Sequence, residues 1–175
     1  MAQDPGKLPG LSEEITVKPA KELSVKAPSG NYVAVLDNRL ADPSASATAS
    51  QDHHNGWLEL SSGKVSGNVI KVKGKYYVPS TAAIPPKGLR FTIRKRSPAG
   101  LKVYSDKTLD IDPTMDKWID FSIELPLDEA VDPEPLNYAL LLSALPFAGP
   151  IYLDNVEVTD PMGNGLWDHP EFELE

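Results

Sequence analysis

The 175-residue chain contains no cysteine, which excludes disulfide bonds, thiol chemistry and cysteine-ligated zinc. It also lacks any run approaching the roughly 20 apolar residues that a membrane-spanning helix requires. Basic residues are in deficit, with 17 Lys and Arg against 25 Asp and Glu, and the net charge is −8 at pH 7. That charge disfavours a general attraction to nucleic acid or anionic lipid, so neither a nucleic acid nor a membrane is expected as a partner.

Catalytic motifs are also missing from the sequence. There is no Gly-x-Ser-x-Gly elbow, no phosphate-binding glycine loop and no His–Ser–Asp pattern. Asp52, His53 and His54 lack a third well-spaced metal ligand, and no acidic pair is singled out as the acid and base of a glycosidase. The sequence therefore predicts a protein that is not an enzyme and that requires no cofactor.

No secretory signal is visible at the N-terminus. Residues 1–6 have neither the basic start nor the apolar stretch of a signal peptide. Two interpretations stay open at this point: the protein acts without general export, or its natural leader has been replaced.

Proline is abundant, and it favours short strands over helices. The 17 prolines are about twice the usual share of roughly 5%. No window of ten or more residues has the helical period, whereas alternating or apolar runs are frequent. They predict an all-β, antiparallel β-sandwich with strands at 31–38, 57–60, 64–72, 76–78, 89–96, 101–104, 118–125, 138–145 and 151–158, and with a tight turn at 73–75.

Three regions follow from the same pattern: an N-terminal arm at 1–30, a sandwich at 31–160 and a tail at 161–175. In the arm, 15–18 and 23–26 alternate apolar and polar residues, so each is expected to pair as an edge strand. The tail carries Trp167, which either folds back to cap the sandwich or anchors a neighbouring protein.

The stretch 151–158 changes its apolar parity. Ile151 and Leu153 share one parity, and Val156 and Val158 share the other. Such a change predicts a bulge near Asp154. An aspartate buried at a bulge requires a partner, either backbone amides or a cation.

Two groups of residues are candidate binding residues. Adjacent Tyr76 and Tyr77 must face opposite sides of a strand, so one is expected to be exposed; the alternative is that both are packing residues. Arg90, Arg94 and Arg96 alternate along one strand and share one face. That face is either simply solvated or contacts an acidic protein or an anionic polysaccharide.

From 56 to 159 the chain resembles the jelly-roll carbohydrate-binding modules associated with xylanases and glucanases. The resemblance rests on Gly56–Trp57, on Trp118 opening a strand that leads to Leu125–Pro126, and on the closing stretch 151–156. It implies a two-sheet jelly roll and a structural calcium ion that has Asp154 among its ligands. It also implies that both tryptophans occupy core positions.

Two functions are compatible with these features. The first is a decoration or cement subunit on the surface of a virion, such as a phage capsid, that adds strands of its arm to neighbouring subunits. It is favoured by the absent signal peptide, the proline-rich arm and Trp167. The alternative, implied by the resemblance, is the polysaccharide-binding module of a secreted, extracellular enzyme.

Overall fold

The computed structural model describes most of the chain. The ranges are 8, 11, 15–28, 30–36, 56–60, 69–82, 86–97, 100–112, 114–126, 138–145, 150–167 and 169–172. These residues form one 3₁₀ turn, Ala20–Leu23, and nine strands: β1 Thr16–Pro19, β2 Tyr32–Leu36, β3 Gly56–Leu60, β4 Val69–Tyr77, β5 Gly88–Ser97, β6 Gly100–Asp110, β7 Trp118–Pro126, β8 Tyr138–Leu145 and β9 Ile151–Thr159. Within these ranges no helix has the length and apolarity needed to cross a bilayer.

The strands build two antiparallel sheets. One has five strands in the order β1-β2-β9-β4-β7, and the other has four in the order β3-β8-β5-β6. From β2 onward every connection except β5–β6 passes from one sheet to the other, as in a jelly roll. The predicted all-β sandwich is therefore confirmed, and the last strand, β9, is the central strand of the larger sheet.

The main hydrophobic core lies between the sheets. Alternating side chains of β5 and β7 point inward, and the rings of Phe91 and Phe121 meet with centroids 5.7 Å apart. Because side chains alternate along a strand, the intervening residues of each strand lie on the outer face of its sheet. The core also receives fully or largely buried side chains from β2, β4, β8 and β9, among them Leu36, Ile70, Val72, Leu140, Leu142, Ile151 and Leu153.

A bulge interrupts β9 where the parity change predicted one. Lys73 pairs with Glu157 and Lys75 pairs with Asp154, so β9 contributes one more residue than β4 over this interval. Asn155 adopts a φ of 53°, a left-handed conformation that asparagine tolerates better than most residues. The predicted bulge at this site is confirmed.

The tight turn predicted at 73–75 is wrong. β4 is continuous there and pairs with β7 and β9 on its two sides. Gly74 lies opposite the bulge, where an added Cβ would lie 3.1 Å from the carbonyl oxygen of Asn155 and 3.1 Å from Cε1 of Phe121. The glycine that looked like a turn residue therefore makes room for the bulged strand.

The described part of the N-terminal arm packs on its own domain. β1 pairs with β2 along its whole length, and Val17 and Ala20 are buried. The second predicted edge strand, at 23–26, is wrong: the chain leaves β1 through the 3₁₀ turn, and Ser24 then adopts a left-handed φ of 59°. Residues 20–28 instead lie on the outer face of the five-stranded sheet.

The C-terminal segment completes the other side of β9. The pairing of β2 with β9 reaches only to Leu153, and beyond it the Val156 amide donates to the Pro170 carbonyl at 2.9 Å. The Leu166 amide donates to the Val158 carbonyl at 2.8 Å. Side chains of the segment extend the main core, namely Leu166, Trp167 and Phe172.

Candidate functional site

An aromatic row crosses the outer face of the five-stranded sheet. Tyr77 of β4 pairs with Tyr152 of β9 on one side and with Trp118 of β7 on the other. The two tyrosine rings stack at 16° with centroids 5.8 Å apart, and the Trp118 ring lies 5.3 Å from Tyr77 at 55°. The pleat brings these three rings together because register places them side by side on one face.

The next two rows along β4 are polar. Lys75 lies between Asp154 and Asp120 and forms an ion pair with Asp120. Lys73 lies between Ser122 and Glu157, and its Nζ is 3.2 Å from Glu157 Oε2. Cationic and anionic groups therefore alternate across the sheet next to the aromatic row.

Apart from the buried Asp154, the residues of these polar rows form the floor of an open cleft of about 500 Å³. Gly74 contributes no side chain, and the C-terminal segment supplies Pro170 and Glu171 as a wall. Three lysines and three acidic residues line the cleft, so its formal charge sums to zero. The described lining is Lys71, Lys73, Gly74, Lys75, Asp120, Phe121, Ser122, Asn155, Glu157, Pro170 and Glu171.

Asp116 connects the loop before β7 to the end of β4. Its carboxylate accepts a hydrogen bond from the Ser80 amide at 2.8 Å and lies 3.5 Å from the Tyr77 hydroxyl. Hydrogen bonds from Ser80 are the main reason that the pKa of Asp116 lies below its ordinary value of 3.8. Desolvation, and then the charge of Asp116, raises the pKa of Tyr77.

This depressed pKa predicts an acid-dependent loss of stability. The ionised form of Asp116 is favoured in the fold, so its contribution is present above the unfolded-state pKa of about 3.9 and disappears as the pH falls through the lower folded-state value. Asp116→Asn keeps a residue that tolerates the positive φ but removes the charge. We expect the melting temperature of the variant to lie below that of the wild type at pH 7 and to approach it near pH 2.

Melting curves between pH 7 and pH 2 test this expectation, with Asp110→Asn as a control for loss of an exposed carboxylate. A constant difference between Asp116→Asn and the wild type at every pH would contradict it.

Two predicted binding residues are buried. Tyr76 belongs to the core, and its hydroxyl accepts a hydrogen bond from the Asp112 amide at 2.9 Å. Trp167 is 6% exposed and packs against His169 and Phe172, and within the described residues its indole nitrogen has no hydrogen-bond partner. Neither ring presents a face to a ligand, and for Trp167 the capping interpretation describes the structure. Tyr77 is the tyrosine of the pair that lies on the outer face.

The predicted arginine face belongs to the other sheet. Arg90 and Arg94 alternate on β5 with the buried Phe91, and Arg90 forms a bidentate ion pair with Asp106, with Nε 2.8 Å from Oδ1. The Arg96 side chain lies outside the described residues. Arg90 and Arg94 do not line the cleft, and contact of the three arginines with an acidic partner stays a prediction.

Asp154 is fully buried at the bulge. Its Oδ1 accepts a hydrogen bond from the Asn155 amide at 2.9 Å, which is the backbone partner foreseen for it. The described residues include no group of three or more acidic or histidine side chains able to hold a metal. A structural calcium ion at Asp154 therefore stays a prediction drawn from the resemblance.

Several residues of the cleft and aromatic row were not identified from the sequence. Trp118 was placed in the core, yet it has the opposite parity to buried Phe121 and lies on the outer face. Trp57, also placed in the core, is half-buried and alternates with buried Leu58. Lys75 was not identified because the sequence predicts a turn at 73–75, and Asp120 was not identified because its partner across the sheet is Lys75. The parity of the strand alone predicts that Trp118 lies on the outer face.

No family model and no curated protein sequence matches the chain. Several solved structures match its fold. A carbohydrate-binding module named CBM28 and specific for non-crystalline cellulose has a TM-score of 0.51 and 14% identity, with 90% of this chain and 91% of the module covered. The C-terminal family 22 module of Clostridium thermocellum Xyn10B has a TM-score of 0.50 and 12% identity, with 91% and 92% covered.

A tandem of two family 22 modules from Paenibacillus barcinonensis Xyn10C has a TM-score of 0.50 and 15% identity over 92% of this chain. The chain spans only 41% of that tandem. At these identities the likeness shows a shared β-sandwich fold, the fold of carbohydrate-binding modules.

Proposed function

We propose that the protein is a non-catalytic polysaccharide-binding module that holds a neutral glycan in the cleft on the outer face of the five-stranded sheet. The observation that carries this proposal is the juxtaposition of polar rows with the aromatic row of Tyr77, Trp118 and Tyr152. A sugar ring presents hydroxyl groups at its edge and C–H groups on its faces. The polar rows match the edge and the aromatic rings match the faces; of these rings, Tyr77 and Trp118 are half-buried and Tyr152 is buried.

The charges of the cleft favour an uncharged ligand. Lys75 and Lys73 are ion-paired with Asp120 and Glu157, so the cleft offers donors and acceptors for hydroxyl groups without a net field. A volume of about 500 Å³ suits a short stretch of a polysaccharide chain. Ion-paired carboxylates are also better suited to accepting hydrogen bonds than to transferring protons, which supports a binding role over catalysis.

Fold similarity adds support by analogy only. The solved structures that match the fold are named as carbohydrate-binding modules, and folds host more than one function. In this proposal the module acts outside the cell, where polysaccharides are found, as part of a polysaccharide-active enzyme.

The first function predicted from the sequence, a decoration subunit on a virion, is less well supported than polysaccharide binding. It was favoured by the absent signal peptide, by an arm expected to add strands to neighbouring subunits and by Trp167 as an anchor. β1 instead pairs with β2 of its own sheet, and Trp167 is buried. Polysaccharide binding, the alternative predicted from the sequence, is therefore the better-supported function.

A panel of soluble polysaccharides tests the proposal. We expect retardation of the protein in affinity gels that contain xylan, a mixed-linkage β-glucan or hydroxyethyl cellulose, with dissociation constants of roughly 10⁻⁶ to 10⁻³ M by calorimetry. Polygalacturonate is the anionic comparison and should bind more weakly. Absence of binding across the panel would contradict the proposed function, and a preference for polygalacturonate would contradict the neutral ligand.

A further inference from the structure

Residues 20–28, called the strap from here on, cover part of the aromatic row. The strap leaves β1 at one edge of the sheet and reaches β7 at the other, where Trp118 Nε1 donates a hydrogen bond to the Lys26 carbonyl at 2.7 Å. Side chains of the strap and of the sheet together form a small hydrophobic cluster. The cluster contains Ala20, Val33 and Tyr152, and packed against it are Leu23, Val25, Ala27, Val35, Tyr77 and Trp118.

The strap lacks the features of a firmly held element. Beyond its 3₁₀ turn it has no regular structure, and Leu23, Val25 and Ala27 are only half-buried. Ser24 and, just past the strap, Gly30 have positive φ values of 59° and 65°, so the chain bends on both sides of the contact with Trp118. Short segments with few buried apolar contacts open at low free-energy cost.

The strap covers the part of the outer face that would continue the cleft along β4. Lys73, Lys75 and Tyr77 are successive residues on the same face of β4, about 7 Å apart from one to the next. Lys73 and Lys75 line the open cleft, whereas Tyr77 belongs to the covered row. A glycan chain that extended along β4 beyond Lys75 would meet the strap.

We infer that the strap is an autoinhibitory cover, which a long glycan displaces to reach the aromatic row and a short one leaves in place. This inference rests on the proposed function. When the strap is displaced, the indole N–H of Trp118 loses its hydrogen bond to the Lys26 carbonyl. It can then donate to a sugar hydroxyl instead. The apparent affinity for a long glycan is then reduced by the fraction of molecules in which the strap is open.

The experiment compares a loosened strap with a matched control. Leu23→Ser/Val25→Ser removes apolar contacts of the strap, and Lys21→Ser/Glu22→Ser changes two exposed residues of the same segment. The probes are xylobiose, xylohexaose, cellobiose and cellohexaose. For whichever series binds, we expect the loosened variant to bind the hexaose about 3- to 10-fold more tightly than the wild type, as a larger open fraction requires. Disaccharide affinity and the control variant should match the wild type.

Trypsin provides a second readout on the unaltered protein. Lys26 lies in the strap, so displacement should expose the bond after it. We expect a saturating hexaose to accelerate cleavage at Lys26 several-fold, as seen by mass spectrometry, and the disaccharide to leave the rate unchanged.

The outcomes separate the two proposals. The inhibitory role would be overturned if the loosened variant bound the hexaose no more tightly than the wild type. It would also be overturned if hexaose binding left the rate of cleavage at Lys26 unchanged. Both outcomes would leave glycan binding by the wild type intact. No binding of any probe or polysaccharide by either protein would overturn the proposed function, and the role of the strap with it.

Discussion

Replacing Lys75 and Asp120 together by alanine should weaken glycan binding at least about 10-fold, because even one lost hydrogen bond to a charged group costs about 1.5–3 kcal/mol. Both side chains line the cleft and are 34% and 80% exposed. An exposed ion pair adds only about 0–1 kcal/mol to folding, so the melting temperature should change little. Calorimetric titration with xylohexaose and cellohexaose measures the affinity, and thermal melting checks the fold.

The matched control for this variant is Arg90→Ala/Asp106→Ala. It also removes one ion pair without changing the net charge, but it lies on the four-stranded sheet. We expect it to bind glycan like the wild type. If the control variant lost affinity and the cleft variant kept it, the glycan would bind at the arginine face predicted from the sequence and not in the cleft.

Gly74→Ala should destabilise the fold by about 1–3 kcal/mol, the usual cost of adding a methyl group to a well-packed site. Its Cβ would lie 3.1 Å from the Asn155 carbonyl oxygen, a backbone atom held in the bulge, and 3.1 Å from the ring of Phe121. Neither neighbour can move without disturbing β9 or the core. Urea unfolding monitored by tryptophan fluorescence measures the change as a shift in the midpoint.

Gly165→Ala is the control for the effect of glycine replacement itself. A Cβ at this position would meet nothing within 4 Å. The variant should be as stable as the wild type or slightly more so, because alanine restricts the unfolded chain. Equal midpoints for the two variants would show that the space opposite the bulge is not needed.

Strand periodicity predicted much of the sandwich. β5 and β7 alternate cleanly, because one face of each lies in the core and the other on the surface. The bulge in β9 was predictable because a parity change has few physical causes. The Lys-Gly-Lys sequence of 73–75 resembles a turn, but Gly74 makes room for β9, a strand about 80 residues further along the chain. Local propensity does not report such a partner.

The cleft was less predictable because it depends on which strands are neighbours. Alternation placed Tyr76 and Tyr77 on opposite faces but could not say which face was inside. It placed Arg90 and Arg94 on one face of β5 but could not say that the polar rows lie on the other sheet. Trp118 was placed wrongly because the family resemblance was given more weight than its own parity.

The position of β9 has a consequence for the synthesis of the protein. β9 lies between the pair β1 and β2, which is synthesised first, and the pair β4 and β7, which is synthesised later. Of the nine strands, β9 is synthesised last. Until about residue 159 has left the ribosome, the larger sheet consists of two separate pieces with exposed edges. This sheet can therefore be completed only after β9 has emerged, and its folding must close loops of more than 100 residues between β2 and β9, which is a slow step. Nascent chains stalled before Ile151 should expose apolar strands that the finished protein covers.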